Sequence, residues 1–360
     1  MNPTTLATEP GFYTLKEIFS QPQCWSDCLK KLAPSPDLAA AVAMARSGAE
    51  WLFVGCGTSY YLAIAAAAAF NTLGIAARAV PASEVLLYPT LTIVPQRDCV
   101  PVVISRSGRT SEAVRAAHQL EKQHNLRTVA ITCADGQPLE AECSVTIKLL
   151  DADESSMVMT RSFTSMLLGL QYLATKIARN ATMQSALTGL PAQTAPLFET
   201  VPDRLQSFVQ THDYEDCAFL AQGQLFGIAS ECMLKVTESS STYTQIFHSL
   251  EFRHGPKSIV GPKALLVFLL AESSYDAEVE LLLEMKELGA SVMAIGNRID
   301  SEVLEACDFG LELGLTVPEF ARPAAYTIWG QLLGVYNGLK KGLNPDAPRN
   351  LSRVVVLDEE

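Results

Sequence analysis

Two hydrophobic patterns alternate along the chain. Short strand-like runs stand at Trp51–Val54, Arg78–Pro81, Val100–Ile104, Thr128–Thr132 and Ser144–Leu149. Between and after them lie longer stretches, Ser59–Leu73, Thr110–His124 and Arg161–Ala178, with apolar residues at helical spacing. The pattern then begins again. Strand-like runs follow at Cys217–Ala221, Leu265–Leu270, Ser291–Ile295 and Phe309–Leu313, with helical stretches at Leu225–Glu238, Asp276–Leu288 and Glu319–Leu339. Strands that are apolar on both faces must be covered on both faces. The alternation therefore predicts an α/β fold of parallel sheets with helices on both sides.

The second series repeats the first. Phe53-Val54-Gly55-Cys56-Gly57 aligns with Phe219-Leu220-Ala221-Gln222-Gly223, and the offset from Gly57 to Ser107 equals that from Gly223 to Ser273. Each of these serines precedes a helix and then a strand containing Ala-Ile, at Ala130-Ile131 and Ala294-Ile295. Two copies of one α/β unit account for this. The polar, proline-bearing stretch Asn180–Pro196 is the expected boundary. It divides an N-terminal domain (1–190) from a C-terminal domain (191–340), with a tail over 341–360.

The copies diverge where chemistry would sit. In the first, Ser105-Arg106-Ser107-Gly108-Arg109-Thr110 joins a buried strand to a helix. Such a turn offers backbone N–H groups, hydroxyl donors and the positive end of a helix dipole, which together make a phosphate cradle. A helix that merely caps itself with Ser107 or Thr110 fits the same residues. The second copy has Ala271-Glu272-Ser273-Ser274-Tyr275-Asp276 instead, with acids where an anion would bind. One phosphate site per chain is expected, in the N-terminal copy, at the carboxyl ends of its strands.

Charge sharpens that expectation. A net charge of −12 disfavours nucleic acid and anionic membranes as partners, so a phosphate must be held by local geometry. With 360 residues, 48% of them hydrophobic and 18% charged, the chain matches a soluble globular protein of two domains. Met1–Leu6 has neither the basic start nor the apolar run of a secretory signal. The longest apolar run, Leu62–Phe70, is about half of what spans a bilayer. Nine cysteines occur without CxxC spacing, Cys24 and Cys28 being the only close pair. They read as free thiols in a reducing cytoplasm, with no metal site.

Four more segments bear on chemistry. Gly55-Cys56-Gly57-Thr58-Ser59 opens a helix after a strand, but it lacks the third glycine and the distal acid of a dinucleotide fingerprint. Glu231, Lys235 and Glu238 share one helical face. That spacing suits a solvated charge stripe, and equally a carboxylate base beside a lysine. His254, in Glu251-Phe252-Arg253-His254-Gly255-Pro256-Lys257, is either a surface imidazole or a proton shuttle. Ser155–Phe163 is a polar turn entering a helix, which Ser156 or Thr160 would cap, or which would close over a sugar.

Taken in order, these segments resemble the SIS (sugar isomerase) family in its tandem form. The carrying residues are Gly55–Ser59, Ser105–Thr110, Met159–Thr164, Glu231/Lys235/Glu238, Phe252–Lys257 and the tail Asn344–Leu351. The resemblance extends to the isomerase half of glucosamine-6-phosphate synthase. It is greater for the stand-alone glucosamine-6-phosphate deaminases of SIS type and the tagatose-6-phosphate isomerase-like proteins. It implies two tandem SIS copies, each a flavodoxin-like three-layer sandwich. It further implies an amino sugar 6-phosphate deaminase/isomerase of the cytoplasm that needs no cofactor and no metal.

Residue by residue, the resemblance implies that Ser105, Ser107, Thr110 and the Arg106 backbone hold the 6-phosphate, with help from Ser59. Gly57, Thr58, Met157 and Arg353 would face the sugar, Glu238 would move a proton between C1 and C2, and Lys235 would stand beside the reacting carbons. His254 would open the ring in the site of a neighbouring subunit, which implies a homodimer. The chain departs from the synthase pattern at Met157 and Met159. It also has Arg353 where that pattern has a lysine, and arginine cannot serve as a neutral amine. The chain begins directly before its first copy, so glutamine-dependent ammonia release is not expected. The alternatives are a fructosamine-6-phosphate-type deglycase, a plain sugar-phosphate isomerase, or a non-catalytic sugar-phosphate-binding regulator. The last would be free to lose Glu238 and His254.

Overall fold

The computed structural model describes residues 9–94 and 97–357. The N-terminal segment Met1–Leu6, read above as carrying no signal, lies outside the described residues. Strands β1 (Glu50–Gly55), β2 (Ala77–Pro81), β3 (Cys99–Ile104), β4 (Val129–Thr132) and β5 (Val145–Lys148) form one sheet in the order β2-β1-β3-β4-β5. Strands β6 (Asp216–Ala221), β7 (Thr244–His248), β8 (Ala264–Leu270), β9 (Ser291–Gly296) and β10 (Phe309–Glu312) form the other, ordered β10-β9-β8-β6-β7. Read from β7, the second order is the first again, and every pairing is parallel. The internal repeat is therefore a repeat of topology. The central strands β3 and β8 are buried along their whole length, as continuous apolar runs between two helical layers should be. The α/β expectation holds.

Three parts of the chain differ from expectation. Strand β7 carries Thr244, Gln245 and His248 and is only half buried, because it is an edge strand with one neighbour. No apolar run marks it. The stretch Asn180–Pro196, expected as the domain boundary, is mostly the helix Ala181–Thr194. Asn180 Oδ1 accepts from the Met183 amide to cap it, and Leu187 and Leu190 anchor it in the core. Pro191 is accommodated inside that helix. Ahead of β1, the helices Phe12–Phe19, Gln21–Leu32 and Pro36–Ala43 pack through Trp25, Leu29 and Leu32. No helix among the described residues is long and apolar enough to cross a membrane.

The helix Phe226–Ser240, just after β6, joins the halves. On one side it lies against the helix Thr58–Thr72, and a Cβ on Gly227 would stand 2.6 Å from the Ala65 amide nitrogen. On the other it lies against Pro323–Lys340, where a Cβ on Gly334 would stand 2.7 Å from the Lys235 carbonyl oxygen. Gly330 and Gly338 face Cys232 and Ser239 in the same way. Small residues at every fourth position thus let three helices approach backbone to backbone. This packing carries Lys235 of the second copy to Thr58 of the first.

Candidate functional site

The loop leaving β3 is tightly folded. Gly108 has φ 62° and a Cβ there would meet the Gln137 side chain at 2.7 Å, so both conformation and space demand glycine. The Cys133 amide donates to the Arg106 carbonyl (2.9 Å), and Thr132 Oγ1 donates to the same oxygen (3.0 Å). Ser105 is buried beneath the loop, its hydroxyl 3.4 Å from Thr110 Oγ1. Thr110 occupies the cap position of the helix Ser111–His118 without capping it through its side chain. Ser107 Oγ accepts from the Arg109 amide at 3.2 Å. Among the described residues, the Arg106 and Ser107 amides have no backbone acceptor. Free donors therefore ring the turn, as an anion cradle requires and as a fully self-capped helix would not leave them.

Across from this loop stands the charged face of the helix Phe226–Ser240. It is not a solvated stripe. Lys235 and Glu231 are fully buried, and only Glu238 keeps a little exposure, at 16% of its side chain. Lys235 Nζ donates to Glu238 Oε2 and to Thr58 Oγ1 (3.1 Å), and lies 3.4 Å from Glu231 Oε1. Burial opposes charge on Lys235, but the two carboxylates outweigh it and hold its pKa above the usual lysine value. Burial also pushes Glu231 up to about 8, with Lys235 opposing the rise and Glu238 reinforcing it. Neither Glu231 oxygen has a well-formed hydrogen bond.

A third wall comes from residues 154–160 and the C-terminal tail. The Arg106 guanidinium does not face the cavity. It is buried, donating to the carbonyls of Met157 (3.2 Å), Ser156 (3.4 Å) and Arg353 (3.0 Å), and to Glu154 Oε2 (3.4 Å). Glu154 is buried too, accepting from the Thr160 amide and hydroxyl (both 2.7 Å) and the Ser162 amide (3.2 Å). Its carboxylate, and not the side chain of Ser156 or Thr160, takes up these amides at the start of the helix Arg161–Ile177. The tail is fixed by its Asn-Pro-Asp motif. Asn344 accepts from the Gly11 amide (2.9 Å), and Asp346 from the amides of Tyr13 (3.0 Å) and Thr14 (2.8 Å), at the start of the helix Phe12–Phe19. Further on, the Ser111 amide donates to the Val355 carbonyl (3.2 Å). Arg353 donates to Asp153 Oδ1 (2.9 Å) and to the Glu154 carbonyl, so its charge is already engaged at the rim.

These walls enclose a cavity of about 200 Å³. Gly57, Thr58, Ser59, Arg106, Ser107, Thr110, Met157, Lys235, Glu238 and Arg353 all line it, drawn from five distant parts of the chain. Ser105 supports it from below. His254 is elsewhere: it is exposed on a short loop, flanked by Arg253 and Lys257, which both bind Glu284 at 2.9 and 3.0 Å. Glu154 and Glu17 are parts of the walls that sequence reading missed, since an isolated glutamate carries no spacing signal. Donors at one end and a lysine-paired carboxylate at the other suit a phosphorylated molecule with an exchangeable proton several atoms from its phosphate.

Residues 46–176 match the family model described as SIS domain. Over 98% of its length the chain is 26% identical to glutamine–fructose-6-phosphate aminotransferase (isomerizing) of Pyrobaculum aerophilum, covering 59% of that protein. A second such aminotransferase, from Aeropyrum pernix, is 27% identical over 98% of the chain and 58% of its own length. The chain thus spans under two thirds of the curated relatives it matches. Among solved structures, glucosamine-6-phosphate deaminase from Thermotoga maritima superposes with a TM-score of 0.78 and 29% identity, covering 96% of this chain and 100% of that one. Tagatose-6-phosphate ketose/aldose isomerase from Escherichia coli gives 0.83 at 20% identity, covering 96% of each, a likeness of fold alone.

Proposed function

We propose that this chain, whose residues 46–176 match the SIS domain model, is a sugar-phosphate isomerase of that family that deaminates a hexosamine 6-phosphate. The observation that carries the reading is the cavity itself. A loop with free amides and hydroxyls faces a buried lysine–carboxylate pair brought from the other half of the chain. Ser105, Ser107, Thr110 and the Arg106 amide hold the phosphate, Ser59 assists, and Gly57, Thr58, Met157 and Arg353 border the sugar. Glu238 takes the proton from C2, and a proton returns at C1. Lys235, kept charged by its neighbours, offsets the negative charge that develops between these steps. The amine-bearing carbon becomes an imine, water adds to it, and ammonia leaves with the ketose 6-phosphate. No step calls for a metal or a redox cofactor. His254 opens the sugar ring from a second copy of the chain. Its exposure, and its place outside the lining of its own cavity, support that arrangement and with it a homodimer.

Ammonia release from glucosamine 6-phosphate and galactosamine 6-phosphate tests the reading. Release from one of them, with formation of the matching ketose phosphate, is expected. Interconversion of unaminated sugar phosphates without ammonia would replace the deaminase with a plain isomerase, and binding without turnover would point to a regulator. The phosphate cradle has its own test. Ser107→Ala combined with Thr110→Ala should raise KM for phosphorylated substrate about tenfold or more, from lost hydrogen bonds to a charged group. Affinity for the unphosphorylated sugar should not change. Equal losses for both ligands would move the phosphate elsewhere.

A further inference from the structure

Glu17 lies in the first helix, behind the cavity lining rather than in it, and is 4% exposed. Its carboxylate reaches across to the Ser155–Met159 wall. Oε1 accepts from the Ser155 amide (2.5 Å), and Oε2 from the Ser156 amide (3.1 Å). From the same helix, Thr14 Oγ1 meets Ser156 Oγ at 2.8 Å. The next residues, Met157, Val158 and Met159, line the cavity, and the Met157 carbonyl is one of those held by Arg106. Glu17 is thus the acceptor on one side of the turn, and Arg106 the donor on the other.

We propose that Glu17 is a positioning residue of the site, whose ionised carboxylate fixes the Ser155–Met159 wall against the bound sugar phosphate. The role of this wall in binding rests on the function proposed above. The groups facing Glu17 are Glu154 on the same wall segment, Arg161 at the start of the helix Arg161–Ile177, and the two serine amides. Burial first, and Glu154 second, push its pKa up to about 7, against the amides and Arg161. A carboxyl group raised in the folded state contributes stability below its ordinary pKa and loses it as pH rises through the folded value. Above pH 7 the charge on Glu17 is therefore a cost to the fold. What it supplies in return is two charge-assisted hydrogen bonds to the wall.

Glu17→Gln separates the two effects. An amide presents one acceptor and one donor where two N–H groups point inward, so one serine amide loses its partner. At pH 8 the variant should keep or raise its melting temperature. In the ligand-free protein, hydrogen exchange of the 154–160 segment should quicken about tenfold or more. KM for the substrate should rise with kcat kept. Unchanged exchange in that segment would overturn the proposal. So would a general loss of stability, which would assign Glu17 to the fold alone. Exchange is read without ligand, so it decides the question even if the wild-type protein turns over no sugar phosphate.

Discussion

Glu238→Gln should lower kcat for the hexosamine 6-phosphate about 10²–10⁴-fold, the usual contribution of a positioned general base, while leaving sugar-phosphate affinity nearly unchanged. The expectation follows from which carboxylate can reach a ligand. Glu231 and Glu238 both lie near Lys235, but only Glu238 lines the cavity and keeps some exposure. Glutamine preserves its volume and still accepts from Lys235 Nζ, so the packing of the helix Phe226–Ser240 is not disturbed. It cannot accept the carbon-bound proton. The phosphate loop lies on the opposite wall and gains or loses nothing. Steady-state kinetics together with calorimetric titration of the sugar phosphate decide the matter. Turnover close to wild type would remove Glu238 as the base, whereas affinity and kcat falling together would show that the carboxylate serves binding.

The elements of this fold were legible wherever one physical signal dominated. Nine of the ten strands described were read from the sequence, most plainly β3, β4 and β8, whose continuous apolar runs are buried along their whole length between two layers. Strand β7 escaped because an edge strand with one wet face does not need such a run. The helix Ala181–Thr194 escaped because Pro191 and polar residues outweighed the two buried leucines that hold it. The cavity-lining residues were legible because loops that free backbone donors use glycine, serine and threonine in compact order. The Glu231/Lys235/Glu238 face was ambiguous for a different reason. Helical spacing places three charges together without saying whether water or protein covers them. Gly227 and Gly334 decide it, by letting neighbouring helices close over the stripe, and that information sits far away in the chain. Glu17 and Glu154 gave no local sign at all. Their meaning comes from amides contributed by other segments.

Lys235→Met should destabilise the protein by about 3–5 kcal/mol, as removal of one partner from a buried ion pair does, and by more at alkaline than at acidic pH. Burial raises Glu231 to about 8, while the neighbouring carboxyl groups hold the Lys235 ammonium charged and balance it inside the fold. Methionine matches the lysine stem in length, so the loss is of charge more than of packing. Removing the ammonium raises Glu231 further, because only Lys235 and the Thr58 hydroxyl oppose its burial. A carboxyl group so raised lends its stability below the ordinary carboxylate pKa and surrenders it as pH climbs through the folded value. The variant should therefore unfold below wild type already at about pH 6, where Glu231 keeps its proton, and further below it at about pH 9. Adding Glu231→Gln should abolish most of that pH dependence, since the amide cannot ionise, and the two substitutions should be strongly non-additive. A small loss, equal at both pH values and additive with Glu231→Gln, would mean that the three side chains do not share one buried charge balance. Lys235 would then be a neighbour of Glu238 and not the centre of a shared charge cluster.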